Sequence, residues 1–156
     1  MEIRRAEVKD IPRVEALLYQ VHEVHRQGRP DLFLPGAKKY TSEELTELFT
    51  KEQKERPVFV AVENDTVLGY CFCIFEHPAH ENEVNITTLY IDDLCVDETL
   101  RGKHIGKALY DYVVAFAKEQ KCYRITLNVW ECNPTARAFY DSMGLSPLKT
   151  VLEQIL

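Results

Sequence analysis

Residues 89–109, LYIDDLCVDETLRGKHIGKAL, contain the change of pattern that decides the fold. The stretch continues a β-prone run that we predict to begin at Ile86 and to end near Val96. A short charged loop follows, and from Ile105 the apolar residues recur at the spacing of a helix with one face in the core. The predicted unit is therefore a strand, a glycine-containing loop and a helix.

The loop before this helix has the features of a phosphate-binding site. The first N–H groups of a helix have no partner within the helix, and the helix dipole is positive at that end. Gly102 and Gly106 would let an anion approach the backbone, and Lys103 and Lys107 add positive charge. Arg101 stands where the Walker pattern needs its first glycine, and the dinucleotide fingerprint GxGxxG is absent. We therefore predict a pyrophosphate cradle of another type, with solvated loop charges as the alternative.

Downstream, the sequence predicts a strand, a helix and a last short strand. Apolar and polar residues alternate over residues 125–130, as expected of a half-buried strand. Asn133 followed by Pro134 is a typical cap and first turn of a helix, and Gly144 supplies its stop. We predict that residues 151–156 form the final strand.

Upstream, the pattern predicts a strand, two helices and a β-hairpin. Asp10 is the expected cap of the first helix, and Thr41 with Glu44 has the spacing of a capping box. The predicted ranges are 2–5 for the strand, 10–28 and 41–56 for the helices, and 58–62 with 67–75 for the hairpin. The resulting order, β-α-α-β-β-β-α-β-α-β, is that of an α/β or α+β domain.

Composition limits the classes of function. The chain has 156 residues, of which 46% are hydrophobic and 28% are charged, a balance typical of one globular domain. A formal net charge of −6 leaves no broad basic surface for nucleic acid. The opening residues form no apolar signal region, and no window of the chain is apolar enough to span a bilayer. We therefore expect a cytoplasmic protein with neither a nucleic-acid nor a membrane partner.

The cysteines and histidines predict no metal or disulfide framework. Five cysteines, an odd number, lie mostly inside apolar runs, which is typical of reduced packing residues. His22 and His25 have helical spacing, and His77 lies close to His80, but no further ligand completes a tetrahedral zinc set. We expect no metal site.

Two segments resemble motifs of the GNAT superfamily of N-acetyltransferases. The loop of residues 101–106 resembles motif A, Q/R-x-x-G-x-G/A, in which Arg101 and Gly106 match and His104 replaces the middle glycine. The segment WECNPTARAFYDSMGL of residues 130–145 resembles motif B, and its matching residues are Asn133, Phe139, Tyr140, Gly144 and Leu145. The opening MEIRRAEVKDIPRVEALL is also similar to the start of the family, so the resemblance covers most of the chain.

The resemblance implies a fold and a cofactor. Residues 1–156 would form a single N-acetyltransferase domain, with a mixed, mostly antiparallel sheet that splays at the cofactor site and about four flanking helices. Acetyl-CoA would lie in the splay and bond the exposed strand backbone. The implied cofactor-binding residues are Leu94, Cys95, Val96, Arg101, Gly102, Lys103, His104, Ile105, Gly106, Lys107, Asn133, Ala136 and Tyr140.

The resemblance also suggests catalytic roles. Tyr140 would act as the general acid for the departing thiolate, since a phenol can protonate it; the alternative is a core aromatic at helical spacing. Asp92 is the preferred base over Asp93, because neighbouring strand residues are expected to face opposite sides. Both could instead be edge-strand charges or partners of a nearby cation. The backbone N–H near Leu94 would donate to the oxyanion. Cys95 is expected to pack rather than to carry the acyl group.

The expected function is direct transfer of an acetyl group to a primary amine. Two alternatives stay open: a CoA-binding regulatory or interaction module, suggested by His104, and an enzyme that acetylates protein N-termini or lysines. The acceptor pocket would be built by the first helices, the loop of residues 26–40 and residues around Trp130. Small-molecule and peptide amines are both open as acceptors, and a homodimer is one assembly that the resemblance allows.

Overall fold

The computed structural model describes residues 1–156. Five strands and four helices follow one another in nearly the predicted order. The strands are β1 (Glu2–Arg5), β2 (Val58–Glu63), β3 (Thr66–Glu76), β4 (Thr88–Val96) and β5 (Arg124–Leu127). The helices are α1 (Ile11–Gly28), α2 (Ser42–Glu47), α3 (Ile105–Glu119) and α4 (Pro134–Ser142).

The strands form one mixed sheet in the order β1-β2-β3-β4-β5. The first four strands pair antiparallel, and β4 pairs parallel with β5 across the connection that contains α3. The turn between β2 and β3 places Asn64 and Asp65 at positive φ, a conformation that these residue types tolerate and that suits a tight hairpin. The predicted mixed, mostly antiparallel sheet with four helices is confirmed.

The two faces of the sheet carry separate apolar clusters, because successive strand residues point to opposite sides. On one face, α1 packs its apolar stripe of Val14, Leu17 and Leu18, all fully buried, against β2 and β3. On the other face, Leu109 and Val113 of α3 pack against the alternate residues of the same strands. Both helices therefore hold the central strands in a fixed position.

The segment between β1 and α1 is fixed by an ion pair of low exposure. Asp10 stands at the start of α1 as predicted, but its carboxylate does not cap that helix. It accepts a hydrogen bond from the Glu7 backbone N–H at 2.8 Å and two from the Arg4 guanidinium at 2.8 and 3.0 Å. The Arg4 guanidinium holds the pKa of Asp10 below its usual value against the effect of burial, so the carboxylate stays ionised.

Two predictions about the C-terminal part are wrong. The strand predicted for residues 125–130 ends at Leu127, and residues 128–130 leave the sheet. The strand predicted for residues 151–156 is absent, because no backbone hydrogen bond joins residues 146–156 to the rest of the chain. Residues 151–156 contain four apolar residues, but no strand of this chain pairs with them.

None of the helices combines the length and the apolar character that a membrane crossing requires.

Candidate active site

The site begins where β4 and β5 separate. Parallel pairing joins Thr88 to Arg124 and ends at Ile91 and Leu127, whereas β4 continues to Val96. Residues 93–96 therefore pair with β3 on one side, and residues 92–96 leave the other side of β4 open. This splay is the opening that the resemblance implied, and Leu94, Cys95 and Val96, which are predicted to contact the cofactor, lie on its open edge.

The loop between β4 and α3 contains two residues at positive φ. Gly102 has φ +82°, and His104, the residue just before α3, has φ +61° and ψ +15°. His104 therefore stands in the left-handed region that favours glycine, at the position where the motif has its middle glycine. The loop therefore places an imidazole side chain in a backbone conformation that glycine adopts without strain.

The start of α3 lies directly against the end of β4. A methyl group added to Gly106 would meet Val96 and the Phe139 ring of α4, each at 3.6 Å, which is ordinary van der Waals contact. The first turn of α3, with Ile105 buried and Gly106 partly exposed, thus opens next to the splay. Arg101, Gly102, Lys103, His104 and Lys107 are exposed around it. These residues can hold a diphosphate at this helix N-terminus.

Helix α4 brings Tyr140 to the splay. Asn133 accepts a hydrogen bond from the Ala136 backbone N–H at 3.1 Å, which confirms the predicted cap and commits the Asn133 side chain to it. The Tyr140 hydroxyl has no hydrogen-bond partner within the protein, and its ring lies 5.1 Å from that of Phe139. Burial, followed by the nearby Cys71 and Asp93, raises the pKa of Tyr140, so the phenol keeps its proton at neutral pH.

Asp92 and Asp93 share one face of the sheet, which the sequence did not predict. The pairing of β3 with β4 shifts between Phe72 and Cys73, so Asp92 is an extra residue with no partner in the register. Asp93 consequently bonds the Tyr70 hydroxyl at 2.8 Å, and Asp92 bonds the Tyr40 hydroxyl at 2.7 Å, both on the side of α1 and α2. The expectation that the two carboxylates face opposite sides is wrong, because a β-bulge breaks the alternation.

The two carboxylates differ in their environment. Burial raises the pKa of Asp93 to about 6, although the Tyr70 hydroxyl and the charge of Lys39 act to lower it. Its protonation therefore changes close to neutral pH, which suits a group that exchanges protons during a reaction. Asp92, whose side chain is 11% exposed, instead sits in an ion pair.

A contact that sequence reasoning missed joins the loop between α1 and α2 to β4. Lys39 places its Nζ 2.7 Å from Asp92 Oδ1, and Arg56 donates to the Tyr40 hydroxyl at 3.0 Å. The Tyr40 ring stacks on Phe72 at 5.3 Å. No sequence signal pairs residues 39 and 92, because the contact depends on the path of a loop without periodicity. The Lys39 ammonium group thus already forms an ion pair with the Asp92 carboxylate.

An aromatic cluster stands at the other end of the same loop. Phe33 lies 5.3 Å from Trp130 and 5.4 Å from His25 between ring centroids, and His22 lies 5.7 Å from Phe33. Burial is the main cause that lowers the pKa of His25, which keeps its ring neutral near pH 7. The first helix, the loop and the residues around Trp130 therefore meet, as predicted for the acceptor side.

The environment of Cys95 is that of a packing residue. Its thiol is buried and donates to the Leu17 carbonyl at 3.6 Å, and burial raises its pKa to about 12. A protonated thiol is a poor nucleophile. This environment supports direct transfer rather than an acylated cysteine.

Comparison with known proteins identifies relatives of the chain. Residues 18–145 match the acetyltransferase (GNAT) family. A mutant of the BH1408 protein from Bacillus halodurans has a crystal structure with a TM-score of 0.93 and 32% sequence identity, over 100% of this chain and 99% of that one.

Two enzymes with assigned acceptors are also similar. Glucosamine 6-phosphate N-acetyltransferase from Arabidopsis thaliana is 32% identical over 57 residues, 36% of this chain and 36% of that enzyme. Peptidyl-lysine N-acetyltransferase YjaB from Salmonella typhimurium is 32% identical over 102 residues, 65% of this chain and 58% of that enzyme. The alignments thus span about a third of the plant enzyme and just over half of the bacterial one.

Proposed function

The chain belongs to the GNAT family of acetyltransferases, and from this membership we propose that it transfers an acetyl group from acetyl-CoA directly to a primary amine. The proposal takes residues 1–156 as one N-acetyltransferase domain. The observation that carries it is the splay: β5 leaves β4 after Ile91, and the backbone edge of residues 92–96 stays free beside the start of α3.

The free edge and the helix start together fit the two ends of a coenzyme arm. The diphosphate would lie on the first N–H groups of α3, with Arg101 and Lys103 close enough in sequence to add positive charge. The pantetheine would extend along Leu94, Cys95 and Val96, whose edge lacks a partner strand. Bound in this way, acetyl-CoA supplies the activated acetyl group.

Tyr140 is the proposed general acid. Its hydroxyl has no competing partner in the protein, and its raised pKa keeps the proton available at neutral pH. Attack of the amine nitrogen on the acetyl carbon would form the C–N bond and a tetrahedral intermediate, and transfer of the Tyr140 proton to the sulfur would then let the C–S bond break as the intermediate collapses to the amide. The Leu94 N–H is the proposed donor to the oxyanion of the tetrahedral intermediate.

The acceptor would approach from the side of α1 and α2. Lys39 shows that an ammonium group fits at Asp92, and we propose that the acceptor amine displaces it there. Asp92 would then orient the amine, and it remains the preferred base. Asp93, on the same face and with a pKa near 6, is the second candidate for the group that removes the proton.

The aromatic cluster favours acceptors with an apolar or cationic body. Phe33 and Trp130 present ring faces and edges close to the loop that carries Lys39. Aromatic rings attract cations and bury carbon skeletons. Both a small-molecule amine and a lysine side chain meet these requirements, and similarity to the Salmonella peptidyl-lysine enzyme supports the second.

A thiol-release assay tests the proposal. The protein is incubated with acetyl-CoA and amines of three classes: polyamines, amino sugars and lysine-containing peptides. Each amine is paired with its N,N-dimethylated form, which cannot accept an acetyl group. We expect free thiol and an acetylated product with at least one class and none with its dimethylated partner. Acetyl-CoA binding without acetylated product from any class would support the CoA-binding module instead.

A further inference from the structure

Lys39 places the nitrogen of a primary amine beside the opening between β4 and β5. Its Nζ lies 2.7 Å from Asp92 Oδ1, and Asp92 is the first residue of β4 beyond the last one that pairs with β5. The other lysines that form ion pairs have partners outside β4: Lys9, Lys38, Lys51 and Lys107. Lys39 is therefore the lysine that is held at the free edge of this strand.

The amine lies near the atoms that would react. The Leu94 N–H, the proposed oxyanion donor, is two residues beyond Asp92, and two strand residues span about 6–7 Å. The charge of Lys39 acts to lower the pKa of Asp93, and Asp93 acts to raise the pKa of Tyr140. The amine, the second carboxylate and the proposed general acid thus lie close enough to influence one another.

Few contacts fix the loop that carries Lys39. No backbone hydrogen bond involves residues 34–40. Side chains hold the segment instead: the Lys38 ammonium pairs with Glu15 at 3.1 Å, and the Tyr40 hydroxyl donates to Asp92 at 2.7 Å. The Lys39 side chain is 50% exposed, and ion pairs of such exposure are weak. Nζ can therefore leave Asp92 and move along β4 without disturbing the core.

We propose that Lys39 is an acetylation site of the protein's own reaction: with acetyl-CoA bound and no external amine present, the acetyl group passes to Lys39 of the same chain. The inference rests on the proposed function, since both use the same thioester, and it adds a modification site. Transfer within one chain is favoured because the amine is already next to the opening and needs no encounter with a second molecule.

The atoms balance as they do for an external amine. The Lys39 ammonium first loses a proton to a carboxylate of the site or to solvent, and Nζ then attacks the acetyl carbon. This forms the C–N bond and a tetrahedral intermediate. The nitrogen gives up a second proton, the Tyr140 hydroxyl protonates the sulfur, and the C–S bond breaks, which leaves acetyl-lysine and the free thiol of CoA. The amide carries no charge, so the modified side chain releases the Asp92 carboxylate.

Mass spectrometry of peptides after incubation with acetyl-CoA tests the inference. A deuterated acetyl group separates the marks formed in the assay from any acquired during expression. We expect the mark at Lys39 before Lys9 and Lys51, although their side chains are more exposed, 62% and 69% against 50%. The rate constant should not depend on protein concentration, because the transfer occurs within one chain. An excess of desulfo-CoA, which has no thiol, should suppress the mark at Lys39 alone.

Two neighbouring lysines provide matched variants. Lys39→Arg keeps a positive charge beside Asp92, but a guanidinium stays protonated and accepts no acetyl group. In the absence of an external amine, the original chain should release thiol up to one equivalent per chain, and Lys39→Arg should release none. Lys38→Arg should still release one equivalent and carry the mark at Lys39. Circular dichroism checks that both variants are folded.

The amine panel of the thiol-release assay separates failure of this inference from failure of the proposed function. Acetylated product from an external amine without a mark at Lys39 overturns the inference and leaves the proposed function standing. Neither product nor mark would contradict both. A mark that desulfo-CoA does not suppress, or that forms equally at Lys9 and Lys51, is chemical acetylation of exposed amines and overturns the inference. A rate constant that rises with protein concentration overturns transfer within one chain.

Discussion

Residues 1–117 and residues 118–156 differ sharply in how far they bury their side chains. All 31 buried residues lie between Ala6 and Ala117, and the second region has none. Yet the second region holds α4, which carries Tyr140, and β5, whose departure from β4 opens the site. The chain thus buries its core in residues 1–117 and carries its proposed general acid, Tyr140, on a lightly packed part.

This division has a physical reason. A splay requires that one strand leave the sheet early, so β5 has four residues where β4 has nine. A strand that leaves early gives up hydrogen bonds and apolar cover on the side that the ligand will occupy. Low packing density beside the site is therefore a consequence of the opening itself.

The largest expected effect comes from the lightly packed region. Tyr140→Phe should lower kcat by about 10²–10⁴-fold, because the proton donor is lost while the ring is kept. The free energy of unfolding and the affinity for acetyl-CoA should change little. Tyr123→Phe, which alters an exposed tyrosine of the same region, is the control and should keep full turnover. Equal turnover in the Tyr140 variant would remove this residue from the mechanism.

A pair of leucines compares the packing of the two regions directly. Leu109→Ala should lower the free energy of unfolding by about 2–5 kcal/mol, because Leu109 is fully buried between α3 and the sheet. Leu127→Ala should cost less than about 2 kcal/mol, since that side chain is only partly buried. Urea unfolding measures both losses of free energy. Equal losses of unfolding free energy at Leu109 and Leu127 would contradict the difference in packing between the two regions.

The pH dependence of kcat/KM distinguishes Asp93 from Asp92 as the base. With Asp93 as the base, kcat/KM should rise as pH increases through about 6, because the carboxyl is protonated below that pH and ionised above it. An acceptor amine with a pKa of about 10 is mostly protonated over this pH range, so its ionisation adds the same slope of kcat/KM for every variant. Asp93→Asn should remove the inflection and lower the rate about 10-fold or more. If Asp92→Asn removes it instead, Asp92 is the base.

The smallest expected effect concerns His104 in the loop that joins β4 to α3. His104→Gly should raise the free energy of unfolding by about 0.5 kcal/mol, because relief of the left-handed strain exceeds the added flexibility of glycine. Lys103→Gly, without a positive φ to relieve, should lower it by a similar amount. Thermal unfolding shows whether each variant is more or less stable than the original chain. Acetyl-CoA affinity should survive His104→Gly, and a large loss would instead give the imidazole a binding role.

The sequence predicted the first region well, because local signals and packing agree there. Apolar periodicity placed α1 and α3, the capping box of Thr41 and Glu44 placed α2, and the β-rich runs placed β2 to β4. Each of these elements buries the face that its pattern predicts. The resemblance to the family predicted the splay, which no hydrophobic periodicity indicates.

The failures of prediction all involve contacts that one local pattern does not encode. The β-bulge at Asp92 reverses the face of one carboxylate, and a single inserted residue leaves no mark in the composition of a strand. The contact of Lys39 with Asp92 depends on the path of the loop between α1 and α2, which has no periodic pattern. Residues 151–156 have the composition of a strand, but no strand of this chain pairs with them, because the pattern of one segment does not encode a partner.

A crystal structure with bound CoA tests the central claim most directly. We predict that the pantetheine arm lies along Leu94–Val96 in the opening between β4 and β5. The sulfur should lie within about 3–5 Å of the Tyr140 hydroxyl, directly or through one water. A CoA whose diphosphate lies away from the start of α3, or whose sulfur is remote from Tyr140, would contradict the account.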